Sequence, residues 1–415
     1  GGIFLIIYIV LALTFGYTMI VAETAIGRMT RKSPVGAFKS FGKKKWLSFG
    51  GWINAVIPVL IVPYYSVIGG WVIKYLVEYF RGNAKLLAED GYFTDFISNG
   101  VSTELCFVAF CAFTLIIIFA GVQNGIERVS KIMMPILIVL SVIIAVYSVT
   151  RPGALAGVKY FLVPNVKNFS WMTVVSAMGQ MFYSLSIAMG ILITFGSYMK
   201  KDTAIEDSTR NVEIFDTGIA IMAGLMIIPA VFAFSGGDPD TLQAGPSLMF
   251  ITIPKVFQNM GFGTVIGIVF FLLVLFAAVT SSIALTESAV STFEDELGWG
   301  RKKATVLVGV IMLALGSLSS LGYGPLAGIK IIGMQFLDLF DFLTNSVMMP
   351  IAALLTSLFV SRVVGIDKIE EEIIHGESAF RRKKVFVVMI KYLCPVFAII
   401  ILLSSVANAL GWIKM

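Results

Sequence analysis

The sequence predicts an all-α, polytopic bundle of membrane-spanning helices, and three observations carry that prediction. Apolar residues make up 58% of the 415-residue chain and mean hydropathy is +0.91, far above the usual composition of a soluble domain. Charged residues are 13%, about half the globular norm. The apolar runs are too long for soluble strands, and no ten-residue alternation of the barrel type occurs. At about 20 apolar residues per crossing, the chain accommodates roughly ten spans.

Those spans fall at 3–27, 48–79, 104–121, 125–149, 171–198, 211–234, 262–293, 304–322, 333–362 and 386–412. Loop charge orients them. The segment after the first span holds Arg28, Arg31, Lys32, Lys39, Lys43, Lys44 and Lys45 without an acid, and the loop 363–385 ends in Arg381-Arg382-Lys383-Lys384. Loops 199–210 and 294–303 also carry basic residues, so all four read as cytoplasmic. Loops 80–103 and 235–261, where acids match or exceed bases, face out. The alternation places Gly1 outside, at a helix entrance. We read this as a chain lacking at least one helix that starts in the cytoplasm; removal of a signal peptide is the alternative.

The net charge of +6 sits in the loops and calls for no nucleic-acid partner. Cys106, Cys111 and Cys394 lie in apolar stretches and read as small buried hydrophobes. With His375 the sole histidine, histidine catalysis and histidine metal clusters have no support, and a membrane enzyme is not indicated.

Five features at membrane depth carry chemistry. Span 171–198 has a polar, glycine-bearing centre from Gly179 to Gly190, including Gln180, Tyr183, Ser184 and Ser186. Such groups are costly in hydrocarbon unless satisfied, and they weaken the helix, so the span is breakable and suited to a small polar ligand. Span 262–293 contains Ala277-Ala278-Val279-Thr280-Ser281-Ser282, whose hydroxyls and carbonyls suit a hard monovalent cation. Small residues with Ser and Thr also serve as packing glue, and taken alone the stretch fits either use. Asp216 is an acid inside a span, a functional site by default unless interfacial water reaches it. Asp338 and Asp341 near the outer end of span 333–362 are closer to solvent. Tyr64 and Tyr65 follow Pro63 in mid-span and need hydroxyl partners, a ligand carboxylate or a helix carbonyl. Gly125 and Pro135 weaken one helix at two points, which permits either a local unwinding or an ordinary proline kink.

Together these residues resemble the neurotransmitter:sodium symporter family, in its bacterial amino-acid-transporter branch of sodium-dependent leucine/tryptophan transporter type. The markers are Gly179-Gln180-x-Phe182-Tyr183-Ser184-Leu185-Ser186 and Ala277-x-x-Thr280-Ser281-Ser282. Glu23-x-x-x-Gly27-Arg28, Tyr64-Tyr65, Trp71 and Glu294-Asp295-Glu296-Leu297 support them, and the likeness runs essentially end to end. The resemblance implies a fold of two inverted five-helix repeats, an architecture that is this fold family's own standard illustration. Residues 1–415 are then one transporter domain: 1–150 the remainder of the first repeat without its first helix, 171–362 the second repeat, and 386–412 one additional C-terminal helix.

Residue by residue, the resemblance implies the following roles. Tyr65 binds the substrate carboxylate, and Tyr183 closes over it. Ile61, Ser186, Met189, Ser281 and Leu285 shape the side-chain pocket. Ser184 binds a first sodium ion, with Asp216 beside it as ligand or as the fixed charge that animal relatives replace by chloride. The Ala277 carbonyl, Thr280 and Ser281 bind a second. Asp341 pairs with an arginine of the missing helix as an outer gate. Asp295 and Tyr198 belong to an inner gate, and Gly125 and Pro135 form the unwinding motif. Ala188 stands where a glycine is common. Met189 stands where a large aromatic occurs, and methionine adapts to bulky apolar groups. The implied function is sodium-coupled symport of branched or aromatic amino acids by alternating access. A transport-inactive sensor or scaffold is the alternative, against which the retained Thr280/Ser281 pair argues. Sodium ions, an amino-acid substrate and the lipid bilayer are the expected partners, with a homodimer open. The expected location is the plasma membrane, multi-pass, as in a bacterial inner membrane.

Overall fold

A computed structural model describes residues 1–413 except 239, 241, 243 and 244. Nine helices among the described residues are long and apolar enough to cross a membrane. We number them with the two halves of the broken span: α1 Gly2–Thr30, α2 Lys45–Phe80, α3 Gly100–Phe119, α4 Val122–Val149, α5 Trp171–Ser184, α6 Ile191–Tyr198, α7 Ile205–Ser235, α8 Gly263–Leu297, α9 Arg301–Leu321, α10 Phe336–Val364 and α11 Lys383–Ala409. No strand occurs among the described residues, only an isolated bridge between Ile331 and Met334. Nine of the ten predicted spans therefore correspond to helices long and apolar enough to cross, and the other is the broken pair α5 and α6, with ends that differ by up to six residues. Cys111 and Cys394 are buried and Cys106 is half-buried, all unpaired.

The helix ends follow caps that hydropathy does not register. Helix α3 starts at Gly100, where the Asn99 side chain accepts from the Ser102 amide at 3.1 Å. Helix α7 starts at Ile205 rather than 211 because Glu377 accepts from the Glu206 and Asp207 amides at 3.2 and 3.1 Å. This places a carboxylate on the positive end of the helix from a distant part of the chain. The same connection clasps α1. Arg382 donates twice to Glu213, at 3.0 and 2.6 Å, and its guanidinium lies 3.6 Å from the Tyr17 ring centroid. Fully buried Arg28 donates to Glu372 at 2.7 Å.

Helix α2 runs unbroken through Pro58 and Pro63 and makes its main contacts with α8, α3 and α9. Helix α6 lies against α1, where a Cβ on Gly27 would sit 2.0 Å from the Ile193 carbonyl and one on Gly196 would sit 2.5 Å from that of Thr24. Only glycine permits this backbone contact, the small-residue packing that holds helices together where lipid removes the hydrophobic drive.

The predicted break is real and short. Helix α5 stops at Ser184 and α6 resumes at Ile191. Between them Ser186 and Ala188 hold φ of 54° and 56°, left-handed values unfavourable for residues with a Cβ. Leu185, Ser186 and Ile187 donate back to Met181, Tyr183 and Phe182 carbonyls. The Ala188 amide instead donates to Glu23 of α1 at 2.7 Å. A buried carboxylate thus satisfies a backbone group that unwinding sets free.

Candidate functional site

The unwound segment faces a cavity of ≈ 400 Å³ between α2, α4, α5, α6 and α8. Ile61 and Tyr65 enter it from α2, Tyr183, Ser184, Ser186 and Met189 from the broken span, and Thr280, Ser281 and Leu285 from α8. Every side chain assigned by resemblance to the substrate pocket therefore lines one space, together with the hydroxyls of Ser184 and Thr280. Its walls are mixed: Ile61, Met189, Ile191, Ala284 and Leu285 are apolar, while Tyr65, Tyr183 and the hydroxyls are polar. Such a chamber fits a molecule with a charged head and an apolar side chain.

Ser184 is the last helical residue of α5, so its side chain projects where the backbone begins to open. Its hydroxyl donates to Asp216 Oδ1 of α7 at 2.6 Å. Tyr8 of α1 donates to the other oxygen, Oδ2, also at 2.6 Å. Both are charge-assisted bonds that hold the carboxylate behind Ser184 and turn the serine's lone pairs away from it. Asp216 itself does not line the cavity. Across the chamber, Thr280 Oγ1 donates to the Ala277 and Phe276 carbonyls at 3.0 and 3.1 Å. This leaves its oxygen lone pairs, with Ser281, available to a hard cation. Ala277 lies behind them, outside the lining. Hydroxyl, carboxylate and carbonyl oxygens are the ligand types that a hard monovalent cation prefers.

The remaining assigned residues lie apart from the chamber. Tyr64 donates to Asp341 at 3.2 Å and shares a 3.2 Å bond with Thr344, while Asn345 donates to Asp341 at 2.5 Å. Asp341 thus sits in a polar cluster where α2 meets α10. The two inner residues do not meet. Asp295 accepts the Ser33 amide at 2.5 Å, and Tyr198 donates to Glu287 at 2.7 Å. Gly125 lies in a wide π-type turn, Val122–Glu127, where a Cβ would come within 2.1 Å of the Ile117 carbonyl; Pro135 sits inside the helix that follows.

Several participants escaped the sequence reading. Ser130 and Met134 line the cavity from α4. Their four-residue spacing between Gly125 and Pro135 put them on one helix face, which was the available signal. Tyr8 had no local marker. Glu287 is fully buried and accepts from Arg301 at 3.0 and 2.6 Å as well as from Tyr198. Arg301 Nε also donates to the Ile118 carbonyl at 3.0 Å. This chain of bonds joins the inner half of the broken span to the end of α3.

Comparison with known proteins agrees with the fold. The family model described as the sodium:neurotransmitter symporter family matches residues 92–412. The chain is 33% identical to an uncharacterised sodium-dependent transporter, YhdH, of Bacillus subtilis, over 98% of this chain and 90% of that one. It is 24% identical to the sodium- and chloride-dependent GABA transporter 2 of Macaca fascicularis, over 90% of this chain and 68% of that one. The crystal structure of MhsT in complex with L-phenylalanine superposes with a TM-score of 0.86 at 33% identity, covering 98% of this chain and 92% of the other.

Proposed function

Because the chain belongs to the sodium:neurotransmitter symporter family, we propose that it couples sodium entry to uptake of apolar, branched or aromatic amino acids by alternating access. It is a multi-pass membrane transporter and not an enzyme. The observation that carries the substrate reading is the ≈ 400 Å³ chamber in which apolar walls from α2, α6 and α8 meet the hydroxyls of Tyr65, Ser186 and Ser281. The phenylalanine held by MhsT is a molecule of this chemistry.

In this reading Tyr65 bonds the carboxylate and Ile61, Met189 and Leu285 hold the side chain. One pocket methylene discriminates by only about 1–3 kcal/mol, so the preference is broad. Ser184 and Thr280/Ser281 each hold a sodium ion from opposite sides. Asp216 supplies fixed negative charge behind the first. Each sodium moving inward gains about 2.3 kcal/mol per 100 mV of membrane potential. Coupling arises because cations and substrate complete the same oxygen set in one arrangement and not in the other. Opening of the Gly125 turn admits water to the α8 site and releases its ion inside. We read 1–150 and 171–362 as the two inverted halves that rock about this chamber.

The test is counterflow of labelled leucine or tryptophan into vesicles holding the purified protein. Exchange should require sodium and stop when potassium replaces it. Equal exchange in both salts overturns the coupling.

A further inference from the structure

The inner end of α9 carries a charge imbalance that no described side chain corrects. The helix opens on Arg301, Lys302 and Lys303, just after Trp299 and Gly300, and no side chain caps it. Three cations there oppose the positive end of the helix dipole and one another. Arg301 is compensated, 2.6 Å from Glu287 and 3.8 Å from Glu294. Lys302 and Lys303 are exposed, and their side chains have no ion-pair or hydrogen-bond partner among the described residues. They stand at the rim of a furrow of ≈ 490 Å³ whose other lining residues are Trp299, Val306, Leu307 and Val310. Trp299 is 42% exposed, and Val306 and Val310 are 55% and 58% exposed, so the furrow opens outward from the bundle. By loop charge this end faces the cytoplasm, and an indole beside lysines marks the bilayer interface.

We propose that this furrow is a binding site for one anionic glycerophospholipid of the inner leaflet. Its headgroup phosphate lies between the ammonium groups of Lys302 and Lys303, and an acyl chain runs along Val306 and Val310. Charge complementarity selects this occupant. A second copy of the chain would bring the same two lysines against themselves. A zwitterionic lipid offers no net charge to balance them, and a free phosphate leaves the aliphatic floor unused. The site adjoins Arg301, whose bonds lead through Glu287 to Tyr198 of α6. A lipid held here therefore lies one residue from the contact that fixes the inner half of the broken span.

The test uses the whole protein in nonionic detergent, titrated separately with dioleoylphosphatidylglycerol and dioleoylphosphatidylcholine and read by native mass spectrometry. One phosphatidylglycerol should be retained in preference to phosphatidylcholine. At about fivefold per interfacial cation, Lys302→Gln with Lys303→Gln should lower that occupancy roughly 30-fold. Lys43→Gln with Lys44→Gln removes equal charge from another exposed basic site and should change it by less than about twofold. Unchanged occupancy in the first pair, or equal loss in both pairs, overturns the proposal. So does displacement of the lipid by millimolar inorganic phosphate, which would mark a simple anion site. Helical circular dichroism of each variant confirms that it has folded.

Discussion

Replacing Asp216 by asparagine keeps the side chain's size and removes its charge. In the native protein the carboxylate accepts from Ser184 and Tyr8 at 2.6 Å each. A sodium ion on the Ser184 hydroxyl, with a hard-cation oxygen contact of about 2.4 Å, lies within roughly 5 Å of the carboxylate. At an effective dielectric constant near 20, a unit charge at that distance contributes about 3 kcal/mol, or roughly 200-fold in cation affinity. Asp216→Asn should therefore raise the sodium concentration needed for half-maximal uptake by about two orders of magnitude in gluconate medium. Chloride, able to occupy the vacated charge position beside Tyr8 and Ser184, should restore much of it. The assay is labelled amino-acid uptake into proteoliposomes against sodium concentration, with gluconate or chloride as the anion. A variant whose sodium requirement is unchanged in gluconate would refute the charge role. One that is impaired but indifferent to chloride would refute the substitution argument while leaving a structural role for Asp216.

Thr280→Val removes an oxygen from the α8 site but leaves the Ala277 and Phe276 carbonyls in their helix, so the fold should persist. Sodium should then stabilise the detergent-solubilised protein against heat less than it does the wild type, and an unaltered gain excludes Thr280 as a ligand. Met189→Phe narrows the chamber, and tryptophan should lose potency against labelled leucine uptake by roughly tenfold, within the usual 1–3 kcal/mol for such changes. Equal potency would place Met189 outside the side-chain pocket. Arg301→Ala strands the fully buried Glu287 and should cost about 3–5 kcal/mol, seen as a lower unfolding temperature. Adding Glu287→Gln should recover most of that loss, and failure to recover would show that the ion pair is not its source.

Most of the architecture was legible because apolar length and charge placement are local properties. The break between Ser184 and Ile191 announced itself through serines and glycines at a depth where polar groups are costly. Thr280 and Ser281 were readable as neutral oxygens, though their motif fits helix packing equally well. Helix ends were less legible. The first turn of α7 is polar, with Glu206, Asp207 and Arg210, and hydropathy leaves it out; Glu377, about 170 positions away in sequence, caps it. Tyr198 and Asp295 were assigned to an inner gate by resemblance, but their bonding partners, Glu287 and the Ser33 amide, carry no local signal that names them.

By itself the sequence identified the segments apolar and long enough to cross a bilayer, their order, and where one of them must unwind, while loop charge supplied only their expected orientation. The reason is energetic and local: hydrocarbon penalises each unsatisfied polar group whatever its eventual partner. Tertiary structure decided who those partners are. Tyr8 and Ser184 meet on Asp216, Glu23 takes the amide of Ala188, and Glu287 joins Tyr198 to Arg301. These pairings link helices far apart along the chain, and their geometry exists only once glycine contacts such as Gly27 on Ile193 bring the backbones together.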